Sequence, residues 1–403
     1  MVRLLHFADL HLGAESYGRF DPETGLSSRL GDFLSSLDKV VKYALDNQVH
    51  LVLFAGDAYR TCDPSPTHQR EFASRMARLA HAGIPTVLLT GNHDVAPSHG
   101  RANAVEIFRT LSVANIYVVS TPRVFTVETK GGPIQIVGMP WLGRSALTSR
   151  DEHKNKTIEE IRELILEKAN NIVLGQVQEL DPALPVVFLA HGSVFGAAYS
   201  SERKTMLGQD VVLPASLCTN PAFDYVALGH IHKHQVLHSS PLVVYAGSLE
   251  RIDFGEEREE KGFVVAEVGK KNADYQFVPT QARRFLTIDV VVHSKDPMVD
   301  IAQAISRHDV RDTVVRVSVR VQPELESLID EKECRRLLKE AFHVAAITRE
   351  VEHPRRLRLG PDSSIESLTP RDLLAKYLEY KSVPTDRAGK LLAYAERLMA
   401  GLD

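Results

Sequence analysis

The sequence predicts a layered α/β fold, in which β-sheets are covered by helices. Two observations predict it: short apolar runs alternate with longer stretches of helical apolar spacing, and a polar cluster follows each run. The apolar runs span residues 2–8, 51–55, 84–89, 186–190 and 225–228. Open α/β sheets place their sites beyond the carboxyl ends of their strands, so the polar clusters mark the expected functional site.

The stretches between these runs carry helical patterns. Apolar residues recur at helical spacing in residues 27–48, 66–82, 105–111 and 158–177. Because these stretches alternate with the predicted strands, we expect their helices to cover both faces of the sheets.

The polar clusters hold the side chains that bind metals. They read Asp9-Leu10-His11, Gly56-Asp57, Gly91-Asn92-His93-Asp94, His191-Gly192 and Gly229-His230-Ile231-His232. Each cluster alone fits a turn or a surface loop. The occurrence of all of them directly after strands favours a site for two adjacent divalent metals, which most often hydrolyses phosphate esters.

The chemistry of these side chains narrows the choice of metal. Without His93 and Asp94, the clusters offer two carboxylates, four imidazoles and one amide. Mixed oxygen and nitrogen ligands suit manganese, iron or zinc better than magnesium or calcium. Asp9 and His11 are two residues apart, as are His230 and His232, so extended backbone would point both members of a pair the same way.

Length and charge limit the classes of function. A chain of 403 residues has material for about two or three domains. Its net charge of −4 is unlike that of a typical DNA-binding domain, although local patches set the phosphate contacts.

The cysteines indicate the cellular compartment. There are three of them, an odd number, and they lie far apart: Cys62, Cys218 and Cys334. This pattern predicts a reducing cytosol without a disulfide framework. We find no apolar stretch of membrane-spanning length and no signal sequence, so we expect a cytoplasmic protein that does not enter a membrane.

A second module is predicted after residue 280. Apolar and polar residues alternate in 283–293 and 313–321, as in half-buried strands. Each of these segments is followed by a segment with a helical pattern, 297–307 and 331–342. This order predicts a small α+β module over residues 281–350.

The segments after this module change in composition. Residues 351–367 are rich in proline, glycine, arginine and serine, which predicts a linker. In residues 368–403, Thr369, Pro370 and Asp372 form a helix start, and a break at Pro384 separates two amphipathic helices. Helices of this length must pack on something, which is either the body of the chain or a partner.

Together these features resemble the SbcD-type DNA repair nucleases of the calcineurin-like metallophosphoesterase superfamily. The resemblance rests on the polar clusters, Pro64-Ser65-Pro66, residues 245–257 and residues 260–263. It is strongest over residues 1–268. It implies a helix-flanked β-sandwich nuclease domain over residues 1–280. The module 281–350 would be a capping domain that positions DNA, and residues 368–403 a helix–loop–helix that binds an SbcC-type coiled-coil ATPase.

The resemblance also implies roles for the site residues. Two Mn²⁺ per chain would be bound, with other divalent metals possible. The first metal would take Asp9, His11 and His232, the second would take Asn92, His191 and His230, and Asp57 would bridge them. His93 would be the acid for the leaving oxygen, with Asp94 orienting it, or His93 would only support its neighbours.

The activity that the resemblance implies is cleavage of double-stranded DNA ends and hairpins. Both 3′–5′ exonuclease and endonuclease activity are implied, in an ATP-dependent complex. The chain has no Gly-x-x-x-x-Gly-Lys-Ser/Thr loop of its own, so ATP use would come from the partner. Helices after the second and third clusters would form a homodimer, or would only cover the sheet.

Four points stay open from the sequence. Some family members carry a histidine three residues after the bridging aspartate, where this chain has Arg60, so exonuclease activity is not assured. The chain could instead hydrolyse small phosphoesters. It could also be a catalytically silent scaffold. Arg316 and Arg320 share one face of a predicted strand, which is either a DNA contact or a solvated sheet face.

Overall fold

The predicted α/β layering is realised as two sheets packed face to face, with helices on their outer surfaces. The computed structural model describes residues 1–95, 101–143, 156–200, 211–351, 369–380 and 383–399. The strands are β1 (Val2–Phe7), β2 (Leu51–Phe54), β3 (Thr86–Leu89), β4 (Ile116–Val119), β5 (Arg123–Val127), β6 (Ile134–Met139), β7 (Val186–His191), β8 (Tyr225–Gly229), β9 (Gln235–Ser239), β10 (Leu242–Tyr245), β11 (Gly262–Gly269), β12 (Asn272–Pro279), β13 (Phe285–Val291), β14 (Val314–Val321) and β15 (His343–Val351).

Most of the helices lie close to the predicted positions, whereas the short helix Ala215–Cys218 was not predicted. They are α1 (Ser28–Asp46), α2 (Pro66–His81), α3 (Ile107–Thr110), α4 (Ile158–Gln178), α5 (Ala215–Cys218), α6 (Pro297–Ser306), α7 (Glu331–Leu337), α8 (Pro370–Tyr380) and α9 (Thr385–Met399). Short 3₁₀ turns cover Ala104–Glu106, Phe254–Glu256 and Glu326–Leu328. Ser27 caps α1 and Ser65 caps α2, where Pro66 takes the first turn.

The two large sheets have parallel centres and antiparallel edges. The first has the order β12-β11-β1-β2-β3-β4, in which β1 to β4 are parallel. The second has the order β5-β6-β7-β8-β10-β9, in which β6, β7, β8 and β10 are parallel. Parallel strands end at the same edge of a sheet. The polar clusters after β1, β2, β3, β7 and β8 are therefore brought to one end of the sandwich.

The core lies between the sheets and under the helices. Leu4 and Leu53 of the first sheet pack with Ile136 and Leu189 of the second, and all four side chains are fully buried. On the outer faces, α1 and α2 cover the first sheet and α4 covers the second. Burial on both faces explains why the strands read as continuous apolar runs.

The third sheet lies within the predicted capping module. It contains β13, β14 and β15, all parallel, with α6 and α7 in the connections, so the module is a β-α-β-α-β unit. The helix predicted over residues 331–342 ends at Leu337, because the chain then turns and the amide of Phe342 donates to the carbonyl of Thr313. This turn leads into β15, a strand that the sequence pattern did not predict. The boundaries 281 and 350 stay predictions.

The tail helices α8 and α9 lie on either side of the predicted break at Pro384, and α8 starts where the sequence indicates. The amide of Asp372 donates to Thr369 Oγ1 at 3.2 Å, which closes the first turn of α8. Leu391, Tyr394 and Leu398 are exposed on α9. The predicted linker 351–367 lies outside the described residues except for Val351. Among the described helices, none is long and apolar enough to cross a membrane.

Candidate metal centre

The first group of predicted ligands converges at the end of β1. Asp9, His11 and His232 are all buried, and the Nε2 atoms of the two histidines lie 3.0 Å apart. The carboxylate oxygens of Asp9 accept from the amide of His230 at 2.9 and 3.0 Å, which joins the loop after β1 to the loop after β8.

Local backbone conformation, and not an extended strand, brings Asp9 and His11 together. Their φ angles are +52° and +48°, in the left-handed region. The expectation that an extended stretch aligns these two side chains was therefore wrong, although both reach the same site. Asp57 (φ +62°) and His230 (φ +100°) also have positive φ. Strained backbone of this kind is often found at functional sites.

The second group lies where β3, β7 and β8 end. Asn92 Oδ1 is 2.9 Å from His191 Nε2 and 2.9 Å from His230 Nδ1. His191 Nδ1 donates to the carbonyl of Ala55 at 2.6 Å, which directs Nε2 towards Asn92.

Asp57 lies between the two groups. Its Oδ2 is 3.7 Å from His11 Nε2 in the first group and 3.4 Å from His191 Nε2 in the second. The residue is almost completely buried, with an exposed fraction of 1%. Asp57 therefore has the position that a shared carboxylate needs.

These residues fit a pair of divalent metals. Asp9, His11 and His232 place one ligand atom each within 4.8 Å of one another, as do Asp57, His191 and His230. Neighbouring ligands of a metal with bonds of about 2.1 Å lie about 3–3.5 Å apart. The neighbouring ligand atoms here lie 2.9–3.7 Å apart.

The charges of the buried groups also suit cations. Burial raises the pKa of Asp9 to about 6, because an isolated carboxylate is costly in the interior. Burial alone would also raise the pKa of Asp57, but the His191 imidazole outweighs it and holds that pKa well below the ordinary value. Burial disfavours the charged form of His191, yet the neighbouring Asp57 raises its pKa to about 9. A histidine binds a metal only through a deprotonated ring nitrogen, so this raised pKa opposes metal binding by His191 Nε2 at low pH.

His93 lies beside the shared carboxylate. Its ring contacts the His11 ring edge-to-face with centroids 4.8 Å apart, and its amide donates to Asp57 Oδ1 at 2.8 Å. His93 Nδ1 donates to the carbonyl of Arg60 at 2.9 Å. Nε2 is therefore the ring nitrogen that is left for proton transfer.

Asp94 has a different structural role from the predicted one. Its carboxylate accepts from the amides of Asp57 (2.9 Å), Ala58 (3.0 Å) and Gly91 (2.9 Å). Asp94 thus binds the loops after β2 and β3 to each other, whereas the carbonyl of Arg60 orients His93. The expectation that Asp94 orients His93 is corrected by these contacts.

Close backbone approach brings the loops together. A Cβ at Gly91 would lie 2.1 Å from Asp57 Oδ1, and a Cβ at Gly229 would lie 2.2 Å from the carbonyl oxygen of Ala55. Only glycine fits at such contacts.

Three supporting side chains have roles that the sequence pattern did not predict. Glu256 accepts from His232 Nδ1 at 2.8 Å and is paired with Lys261 at 2.9 Å. The ring of Trp141 lies 5.2 Å from that of His230. Glu256 and Lys261 lie in a charged stretch that reads as surface, and their burial is visible only in the structure.

The arginines proposed for DNA contact have protein partners. Arg316 lies over the ring of Phe254 at 4.4 Å and donates to Thr287 Oγ1 at 2.9 Å. Arg320 lies 3.7 Å from Glu350. Arg60 is exposed beside His93. The Arg316 guanidinium thus makes its contacts within the protein, with Phe254 and Thr287.

Comparison with known families agrees with this site. The family described as calcineurin-like phosphoesterase matches residues 2–234, which is more than half of the chain. The chain therefore belongs to the calcineurin-like phosphoesterase family. This confirms the predicted fold class and the prediction of a metal-dependent phosphoesterase, in a family that binds two divalent metals.

Particular relatives include a DNA repair protein and a nuclease subunit. The DNA double-strand break repair protein Mre11 of Haloferax volcanii is 27% identical over 328 residues, which cover 80% of this chain and 62% of that protein. The SbcD component of the nuclease SbcCD of Escherichia coli K12 is 27% identical over 263 residues, which cover 63% of this chain and 62% of that protein. The chain thus spans less than two thirds of the length of these relatives. A solved dimetal phosphatase from Danio rerio has 11% identity and a TM-score of 0.41, with 70% of this chain and 97% of that chain covered.

Proposed function

We propose that this chain is a manganese-dependent DNA nuclease, the SbcD-type subunit of an ATP-dependent complex that processes double-strand breaks and hairpins. The observation that carries the proposal is the position of Asp57 between two buried ligand groups, 3.7 Å from His11 and 3.4 Å from His191. The relatives named as a DNA repair protein and as a nuclease subunit support DNA as the substrate.

The proposed mechanism assigns roles to the side chains. Asp9, His11 and His232 would hold one metal, Asn92, His191 and His230 would hold the other, and Asp57 would be shared. When bound, two Mn²⁺ supply charge neutralisation at the phosphate and lower the pKa of water. His93 Nε2 gives its proton to the leaving oxygen, while the carbonyl of Arg60 keeps the ring in place. Asp94 contributes indirectly, because it fixes the loops that carry Asp57 and Asn92.

The proposal includes partners. The exposed apolar residues Leu391, Tyr394 and Leu398 support docking of residues 368–403 on an SbcC-type coiled-coil ATPase. Ile107 and Leu111 are exposed on and directly after α3, which supports a homodimer through the helices after the second and third clusters. Free Cys62, Cys218 and Cys334 support a cytoplasmic location. The 3′–5′ exonuclease and endonuclease activities rest on the resemblance alone.

The test is cleavage of a labelled hairpin duplex in Mn²⁺, with and without the ATPase, beside turnover of bis(p-nitrophenyl) phosphate. We expect hairpin cleavage that falls at least about 100-fold in Asp57→Asn, because the shared ligand is weakened. Asp63→Asn is the matched control, because Asp63 is an exposed aspartate in the same loop and pairs with Arg101. Ester turnover without DNA cleavage would favour a small-phosphoester enzyme. No turnover of either substrate would favour a scaffold.

A further inference from the structure

The segment 254–257 contacts both the predicted metal centre and the capping module. It begins with the 3₁₀ turn Phe254–Glu256 and follows β10 in the chain. Adjacent side chains of this short segment face two different parts of the molecule.

On one side, the segment orients a predicted metal ligand. Glu256 Oε1 accepts from His232 Nδ1 at 2.8 Å, and Glu256 Oε2 is 2.9 Å from Lys261 Nζ. Both side chains of this ion pair are fully buried. A carboxylate can only accept here, so the His232 proton stays on Nδ1, and Nε2 faces His11 with its lone pair.

On the other side, the segment binds the capping module. Glu257 accepts from the amide of Thr287 at 2.9 Å and from Thr287 Oγ1 at 2.6 Å. The ring of Phe254 lies 5.0 Å from that of Phe285 and 4.4 Å from the Arg316 guanidinium. All three partner residues belong to β13 or β14.

Local hydrogen bonds make the segment a single unit. Asp253 caps the turn by accepting from the amide of Gly255 at 2.7 Å. The amide of Ile252 donates to Glu256 Oε2 at 3.1 Å, which ties the buried carboxylate to the start of the segment. A displacement of Glu257 or Phe254 with the capping module would therefore displace Glu256 as well.

We propose that Glu256 is a positioning residue for His232, and that the segment 254–257 couples the placement of the capping module to the affinity of the metal site. This inference rests on the proposed function, since it takes His232 to be a metal ligand. Coupling is reciprocal in binding equilibria, so metal binding would also tighten the contact with the capping module.

The first test is calorimetric titration of the full-length protein with Mn²⁺. In Glu256→Gln we expect the affinity of one of the two sites to fall about 10- to 100-fold, which is the usual effect of losing such a support. Glu250→Gln is the matched control: Glu250 is also buried in a charge network, with Arg29 at 3.7 Å and Ser36 Oγ at 2.7 Å, but these partners are not predicted ligands. Equal affinities in the two variants would overturn the proposal.

The second test changes only the capping module. Thr287→Val is isosteric and uncharged, and it removes the hydroxyl bonds to Glu257 and Arg316. We expect a several-fold loss of affinity at the same site, and in hydrogen exchange we expect Mn²⁺ to protect β13 in the wild type but not in the variant. Thr348→Val is the control, because Thr348 Oγ1 bonds to Val317 within the module.

Equal Mn²⁺ affinities in Thr287→Val and Thr348→Val would overturn the coupling, even if Glu256→Gln did not fold. A wild-type protein that binds fewer than two Mn²⁺ would instead contradict the proposed function itself. The two failures are therefore distinguishable.

Discussion

At the scale of single residues, we expect His93 to serve proton transfer and Asp57 to serve metal binding, so that variants can test the two roles separately. His93→Gln keeps a polar side chain beside the carbonyl of Arg60 but cannot act as an acid. We expect DNA cleavage in saturating Mn²⁺ to fall by about 10²- to 10⁴-fold, while two Mn²⁺ still bind by calorimetry. A variant that cleaves within tenfold of the wild type would show that His93 only supports its neighbours.

For Asp94 we predict an effect on stability, because its carboxylate accepts three buried hydrogen bonds from backbone amides. Asp94→Asn replaces one acceptor oxygen by a donor that faces other donors. We expect the free energy of unfolding in urea to fall by about 1–3 kcal/mol. Asp300→Asn is the control, since Asp300 also accepts from two amides but at the surface, and its loss should be smaller. Equal losses would argue against the bridging role of Asp94.

At the scale of elements, the two sheets approach each other closely where β8 ends. A Cβ at Gly229 would meet the carbonyl of Ala55 at 2.2 Å. We therefore expect Gly229→Ala to lower the free energy of unfolding by about 1–3 kcal/mol and to weaken Mn²⁺ binding. Gly175→Ala, in α4 with open space around it, should instead raise stability by about 0.5–1 kcal/mol. A thermal unfolding series that shows no loss in Gly229→Ala would contradict this packing.

His6 of β1 joins the two sheets, since its Nδ1 is 3.0 Å from the hydroxyl of Tyr225. Burial lowers the pKa of His6 from 6.5 to about 3. Between these two pKa values, the unfolded chain binds a proton at His6 that the folded chain does not bind. The contribution of neutral His6 to the free energy of unfolding is therefore fully present above pH 6.5 and is lost as the pH falls towards 3. The slope approaches about 1.4 kcal/mol per pH unit.

We expect His6→Gln, which cannot titrate, to show a shallower loss of unfolding free energy between pH 6 and pH 5 than the wild type. Urea unfolding of metal-free protein at both pH values measures the difference. Identical slopes would show that His6 is not the group that titrates.

Some of these elements could be predicted from the sequence and others could not, for physical reasons. Runs such as 51–55 were recognisable because strands buried on both faces are continuously apolar. The strand β15 was not predicted, because its buried and exposed residues do not alternate clearly and it is half-buried along most of its length. The helix predicted over 331–342 was too long, because the turn after Leu337 depends on pairing with Thr313, which lies far away in sequence.

At the scale of the whole molecule, the identity of the predicted ligands followed from residue type, but their geometry did not. The left-handed backbone at Asp9 and His11 and the amide contacts of Asp94 depend on loops from both sheets. The burial of Glu256 and Lys261 depends on packing that a charged sequence does not suggest.

The central claim is that each chain binds two metals that share Asp57. Titration with Mn²⁺ followed by electron paramagnetic resonance tests it most directly. We expect two Mn²⁺ per chain with the spectrum of a spin-coupled pair, and loss of that coupling in Asp57→Asn. One Mn²⁺ per chain, or two uncoupled ions in the wild type, would contradict the claim.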